Sequence, residues 1–402
     1  MLPTLKNINY QKYITYMLIA YAFSFPISKA ATNLFEVLAI ILWILEGNWK
    51  EKFQLYKSNL LSLSIILLIA FSVISILWHG NAEISFKYIA KYRHLLIIFI
   101  FYSSFDVKYR KHIISAFFLS MFLSELMSYA IFFEIIHYKN ILPQDPTPFM
   151  SHMTYSTVLA FTISIIMIRF FYEQNSKYKF FYIFFFITAT TNLFINGGRS
   201  GQVLFIILVF IAILSSIEHK VKAFLISITI LLSTLFLAYS LSPNFQKRSY
   251  KLYNDFNNVI VHNNYEGSGG ARIALTTIGI QTFLDNPLLG TGISYHMHNL
   301  ESYIDKNNFN KKLKKYADYH NGFLTVSVQL GIIGLLISIL IIYSLFSLQI
   351  RDKEYKILSL LFATTFVLFS FTHNTFHTMN PMIFFALFAG YFNALSREKS
   401  RN

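Results

Sequence analysis

The sequence contains no cysteine, so neither a disulfide nor a thiolate metal site can hold the fold together. Charge is scarce as well: Asp, Glu, Lys and Arg make up 13% of the 402 residues, against roughly 25% in soluble domains. Acidic residues are the rarest of these, 19 against 34 basic. With 55% of residues hydrophobic, no water-soluble packing could hide the apolar surface. What the chain does have is a succession of apolar runs long enough to cross a hydrocarbon core of ~30 Å, separated by short polar and often basic interruptions.

Twelve such runs can be read, at about 13–27, 31–45, 60–77, 95–105, 113–136, 155–171, 180–195, 203–217, 223–241, 323–348, 357–371 and 381–395. They predict an all-α polytopic membrane protein of about twelve transmembrane helices. The fourth run is short unless it begins near Tyr88, which carries Lys91 and Arg93 into the interface. Counting basic residues in alternate loops gives 19 on the side that holds both termini, among them Lys6, Lys399 and Arg401, and six in the short loops opposite. The positive-inside bias therefore predicts cytoplasmic termini and an even number of spans. The first 30 residues superficially resemble a cleavable signal peptide, with Ser28-Lys29-Ala30-Ala31 as the small-residue stretch. Removing them would leave an odd span count and invert the charge bias, so an uncleaved first helix is expected.

The remaining nine basic residues lie in one segment of 79 residues, Ser242–His320, which this topology puts outside the cytoplasm. The expected organisation is a single membrane domain: helices 1–9 over 1–241, a periplasmic loop over 242–320, and helices 10–12 over 321–402. No internal repeat is visible, which weighs against a transporter built from inverted halves. Basic residues clustered beside the membrane, and not on a soluble surface, give no reason to expect nucleic acid. Inside the loop, Glu266-Gly267-Ser268-Gly269-Gly270 reads as a flexible turn. A short amphipathic helix follows, with Ile273, Ile280 and Leu284 on one face, stopped by Asp285-Asn286-Pro287. Pro287-Leu288-Leu289-Gly290-Thr291-Gly292 then reads as a tight turn.

Three groups on the outer face could carry chemistry. Asn196-Gly197-Gly198-Arg199-Ser200-Gly201 joins two membrane helices; its glycines could expose backbone N–H groups beside a guanidinium, a cradle for an anion. A plain turn with a snorkelling arginine is the competing reading. Arg272, in the expected first turn of the loop helix, opposes the helix dipole unless an anion occupies both. His320-Asn321 precede the tenth helix, with Gly331 and Gly334 eleven and fourteen residues after the histidine. At 100° per residue those offsets would put both glycines within about 40° of the histidine's direction, letting another helix approach and fix it. Two arginines for a dianion and one proton-accepting histidine form a set suited to glycosyl transfer from a lipid pyrophosphate. Asp285, Asp305 and Asp318 are scattered, so no metal site is expected.

The same residues carry a resemblance. Tyr319-His320-Asn321-Gly322-Phe323, followed by Gln329-Leu330-Gly331-Ile332-Ile333-Gly334, resembles the signature of the O-antigen ligase and polymerase superfamily of bacterial envelope assembly. Gly198-Arg199-Ser200, Gly270-Ala271-Arg272 and Asn286-Pro287-Leu288-Leu289-Gly290-Thr291-Gly292 support it. The resemblance implies a GT-C-like inner-membrane glycosyltransferase with one large periplasmic loop, needing no metal, nucleotide or other cofactor. Its donor would be an undecaprenyl diphosphate-linked glycan and, in the ligase branch, its acceptor the lipid A core oligosaccharide. It implies His320 as the base and Arg199 and Arg272 as pyrophosphate ligands. Lys91, Arg93 and Asn321 are further candidates for substrate binding, Gly331 and Gly334 are structural, and Glu125 inside the fifth run is a costly carboxyl of undefined role. A polymerase or a protein O-oligosaccharyltransferase shares donor and base, and a lipid-linked oligosaccharide flippase is the more distant alternative.

Overall fold

The computed structural model describes residues 8–78 and 81–397; Lys6, Lys399 and Arg401 lie outside the described residues. Among these residues the chain is all-helical, with no strand, as expected of a backbone that must satisfy its own hydrogen bonds in lipid. Helices α1 (Tyr10–Ser24), α2 (Lys29–Glu46), α3 (Trp49–Lys57), α4 (Leu60–Ile74), α5 (Ala82–Ala90) and α6 (Leu96–Ser104) make the first third. They are followed by α7 (Arg110–Phe132), α8 (His152–Tyr172), α9 (Ser176–Ile195), α10 (Arg199–Ser216) and α11 (Lys220–Leu241). The 242–321 segment holds α12 (Pro243–His262), α13 (Gly267–Asp285) and α14 (Leu300–Lys306). Helices α15 (Gly322–Phe346), α16 (Lys353–Ser370) and α17 (Met379–Ser396) complete the chain.

Each of the twelve apolar runs coincides with a helix. Seven helices among the described residues are long and apolar enough to cross a membrane by themselves, and the chain is a polytopic membrane protein. The others fall short for visible reasons. The fourth run is divided into α5, a 3-10 turn over Lys91–Leu95, and α6. Helix α2 turns by 111° into α3 at Gly47 and Asn48, both at positive φ. That bend buries Lys52, which pairs with Glu46 at 2.8 Å and lies over the rings of Trp43 and Trp49.

Helix α8 is the axis of the bundle: 83% of its apolar window is buried, against 22% for α11. It packs on α10, α9 and α16, while α17 lies along α6 and α15 along α4. Leu225, Leu232, Phe236 and Leu241 of α11 point outward, the pattern of a helix with one side to hydrocarbon.

Two elements of the 242–321 segment differ from expectation. Helix α12 carries a regular apolar spacing, Phe245, Leu252, Phe256 and Ile260, that the sequence reading passed over; the face that orders it is polar, with Arg248 and Asp255 turned inward and Leu252, Phe256 and Ile260 left outward. The expected flexible turn at Glu266–Gly270 is instead the first turn of α13. Asp255 accepts the Gly269 N–H at 2.9 Å, and a Cβ on Gly267 or Gly270 would run into Asp255 or the Tyr265 backbone. These glycines bring α13 against α12 and do not provide flexibility.

Candidate functional site at the loop end of the bundle

The site is organised by a break in α15. Gly331 sits at φ 65°, ψ −156°, so the helix is interrupted after two and a half turns and carbonyls near the break lose their intrahelical partners. The Pro287–Gly292 turn fills the gap. Thr291 N–H donates to Val328 O at 2.8 Å, Gly292 N–H to Gln329 O at 2.9 Å, and Ile332 N–H donates back to Pro287 O at 2.8 Å. A Cβ on Gly331 would collide with the Leu288 carbonyl, and one on Gly290 with Gln329. The two glycine motifs, forty residues apart in sequence, are halves of one joint. The expectation that Gly331, Gly334 and His320 share a continuous helix face is therefore overturned: the helix is broken between them, and His320 precedes it.

His320 itself is at φ 51°, a left-handed conformation that is strained for a side-chain-bearing residue. Asp318 holds it there, its Oδ1 accepting the His320 backbone N–H at 2.7 Å. The same oxygen lies 3.3 Å from His320 Nδ1, but without hydrogen-bond alignment, so the ring nitrogen is buried and unpartnered. Burial holds the imidazole below its ordinary pKa, the Asp318 carboxylate opposing and the Arg272 charge reinforcing this. Asn321 caps α15, its side-chain oxygen accepting the Leu324 N–H at 3.0 Å. That oxygen is committed to the fold.

On one side of His320 lie the two arginines. Arg272 is the sixth residue of α13, not in its first turn as expected, so the dipole argument does not apply to it. It donates to Met153 Sδ at 3.2 Å, and burial, then the like charge of Arg199, hold its guanidinium below its ordinary value. Arg199 opens α10 and donates from Nη2 to Ser268 Oγ at 2.6 Å, while its Nη1 is buried without a partner. The expected backbone anion cradle at 196–201 is already occupied: Gly197 N–H goes to Asp145 at 2.9 Å and Gly198 N–H to Asn196 at 3.1 Å. Gly198 and Gly201 instead let α10 pack directly on Ser156 of α8. Arg199, Lys247, Arg248, Lys251, Asp145 and Ser268 line a cavity of about 410 Å³. Asp145 also pairs with His152 at 3.2 Å, and Arg248 donates to Gly197 O at 2.9 Å.

On the other side, a cavity of about 440 Å³ is lined by Tyr88, Lys91, Arg93, Asp318, Asn374 and His377. Arg93 is fixed by Asn33 at 2.7 Å and by Glu36 at 3.3 Å, and the buried Glu36 also holds His94 at 2.5 Å. Asn374 Oδ1, His377 Nδ1 and His373 Nδ1 are buried without a partner, each an arrangement that costs about 1–3 kcal/mol unless something binds there. Burial pushes His373 and His296 down to about 4 and His377 well below the ordinary histidine value, so all three are neutral hydrogen-bonding groups near pH 7. His320, Arg272 and Asp318 all act electrostatically on His373, which ties the two sides together. A third cavity, beside Asn59, Ser344 and Ser396, holds no acidic or basic side chain.

The structure thus brings Arg199, Arg272 and His320 into one region and puts Lys91 and Arg93 across from them. Glu125 is buried in α7 with Oε2 unpartnered and belongs to neither cavity. Sequence reasoning missed His373, Asn374 and His377, although the run Thr372-His373-Asn374-Thr375 between two apolar segments was a signal. It also missed Arg248 and His152, which nothing in the spacing distinguishes. Among the described residues no group of three His, Asp or Glu side chains converges as metal ligands would.

Compared with known proteins, residues 183–339 match the family described as O-antigen ligase. The matched stretch runs from α9 to the middle of α15 and contains Arg199, Arg272, His320, the 286–292 turn and both glycines of the broken helix. No curated protein matches the chain.

Proposed function

Since the chain belongs to the O-antigen ligase and polymerase superfamily, we propose that it is an O-antigen ligase, transferring a glycan from undecaprenyl diphosphate to a hydroxyl of the lipid A core oligosaccharide. The enzyme sits in the bacterial inner membrane with both termini in the cytoplasm, and His320 faces the periplasm. Acting as base, His320 takes the proton of the acceptor hydroxyl through an imidazole nitrogen; its lowered proton affinity keeps it unprotonated in this range. The acceptor oxygen attacks the anomeric carbon from the face opposite the departing group, so configuration inverts. The bond from that carbon to the diphosphate oxygen breaks, and its electron pair leaves with the diphosphate. Arg199 and Arg272 neutralise that charge in place of a metal ion.

The observation that carries this reading is the meeting of His320, whose Nδ1 is buried and unpartnered just before the broken helix, with Arg272 of α13 and Arg199 of α10, whose like charges act on one another. Their like charges, and the Arg199 Nη1 that has no partner, favour an anion at this place. A polymerase or a protein O-oligosaccharyltransferase would use the same donor and base with another acceptor. The test is a reconstituted transfer: purified protein, lipid-linked glycan and lipid A core acceptor in excess chelator, with product and released undecaprenyl diphosphate followed together. Ligated product should form without added metal or nucleotide. Activity that collapses on chelation and returns with magnesium or manganese would sink the assignment of the arginines as the only leaving-group clamp.

A further inference from the structure

We propose that the cavity between residues 87–94 and 374–379 is the acceptor subsite, and that it takes a sugar bearing an anionic group such as phosphate. This rests on the glycosyl-transfer reading and adds to it the chemical class of the acceptor.

The cavity itself supplies three observations. The cavity has about 440 Å³ of space, enough for a sugar ring with a substituent. Its wall includes Asn374 and His377, 2% and 4% exposed, each with a polar atom that has no partner in the protein. The other faces of His377 are already used: Tyr92 hydroxyl is 2.9 Å from Nε2, and the Tyr88 ring meets it edge-on, so its orientation is fixed. Buried, neutral, unpartnered and fixed groups are what a hydroxyl-rich ring needs to displace its water.

The charge is arranged separately from these groups. Lys91 forms no ion pair within 4 Å among the described residues, although the Asp318 carboxylate acts on its charge, and its ammonium rests over the Tyr88 ring at 4.8 Å. Beside it the Arg93 guanidinium is held in place by Asn33 and the buried Glu36, so it is oriented before any ligand arrives. The same cavity is lined by Asp318, the residue that holds His320 through its backbone N–H. A ring hydroxyl reaching past Asp318 would meet the histidine, while an anionic substituent would stay at the Lys91 and Arg93 end. Asp318 itself repels an anion, which sets the direction in which the sugar enters.

The experiment uses full-length protein in detergent and the variant Lys91→Gln, a substitution at an exposed side chain. Transfer is measured to a phosphorylated core oligosaccharide and to the same acceptor after phosphatase treatment, with KM taken for donor and acceptor separately. Lys91→Gln should raise the KM for the phosphorylated acceptor about tenfold, and leave the donor KM and the dephosphorylated acceptor within about twofold. An equal rise for both acceptors, or a rise in donor KM, would overturn the subsite while leaving glycosyl transfer intact. If no acceptor is glycosylated, the transfer reading fails and binding decides the subsite. Glucose 6-phosphate should then raise the melting temperature of the parent protein more than glucose or inorganic phosphate does, and more than it raises that of Lys91→Gln. Equal shifts in both proteins, or an equal shift with inorganic phosphate, would show that no sugar phosphate is recognised there.

Discussion

The cavity at α10 and α12 and the cavity that Asp318 lines solve opposite electrostatic problems. In the one at α10 and α12, four basic side chains, Arg199, Lys247, Arg248 and Lys251, face a single carboxylate, Asp145, and that carboxylate is already engaged by His152 and the Gly197 N–H. Across the site, His377 and Asn374 are buried with unpartnered atoms, while Lys91 and Arg93 bring positive charge and Asp318 a negative one. The first arrangement favours a multiply charged anion; the second offers unpartnered hydrogen-bonding atoms. On the proposed reading, a diphosphate and a polyhydroxyl ring are the corresponding guests. The asymmetry would then set which way the proposed reaction runs, with His320 taking its proton from the side where hydroxyls arrive.

The largest effect that would break this comparison is loss of the central base. His320→Ala should fold and insert, since Asn321 still caps α15 and the 286–292 turn still holds its break. Transfer should fall by roughly 10²–10⁴, measured by product formation at saturating donor with membrane insertion checked alongside. Full transfer by a correctly inserted variant would remove His320 from the chemistry.

A smaller effect sharpens the charged side. Lysine supplies the charge of arginine but not its fork of donors. Arg199→Lys and Arg272→Lys should each slow transfer roughly ten- to a hundredfold, the worth of a charge-assisted hydrogen bond of about 1.5–3 kcal/mol. The loss should show in kcat and in release of undecaprenyl diphosphate. Near-normal turnover in both variants would mean that the guanidiniums serve packing alone, against Ser268 and Met153.

Much of this was legible before any coordinates. Apolar runs announced the membrane helices because hydrocarbon enforces one backbone solution, and Arg199, Arg272 and His320 stood out because polar residues in such a chain are few. What stayed hidden depends on contacts across long sequence distances. Nothing local says that Gly331 leaves the helix; the reason is the Leu288 carbonyl that occupies the space of its Cβ. The glycines at 197 and 198 looked like an anion cradle, yet Asp145 and Asn196 had already taken their N–H groups. Helix α12 was legible from Phe245, Leu252, Phe256 and Ile260 at helical spacing; what stayed hidden is that its ordering face is the polar one, where Arg248 and Asp255 pair with backbone groups of other elements. The side with the unpartnered atoms was read least well: Asn374 and His377 come together with Lys91 only through the packing of α17 on α6 and its preceding turn.

The smallest effect tests the residue shared by both sides. Asp318 fixes the strained backbone of His320 and also raises the proton affinity of its ring, against burial and Arg272, which lower it. The other groups beside the ring, His373 and the Tyr316 edge, add no opposing charge while His373 is neutral. Asp318→Asn keeps an oxygen for the His320 N–H and removes only the negative charge. The imidazolium then loses its one stabilising neighbour, so the His320 pKa falls further. Since the base acts in its unprotonated form, the acid limb of kcat/KM, which reports the free enzyme, should move to lower pH. A weaker base should also lower the plateau modestly. A limb that moves to higher pH, or stays in place while the plateau collapses, would mean that Asp318 acts by holding the backbone alone, and that the two cavities are not joined through the charge of His320.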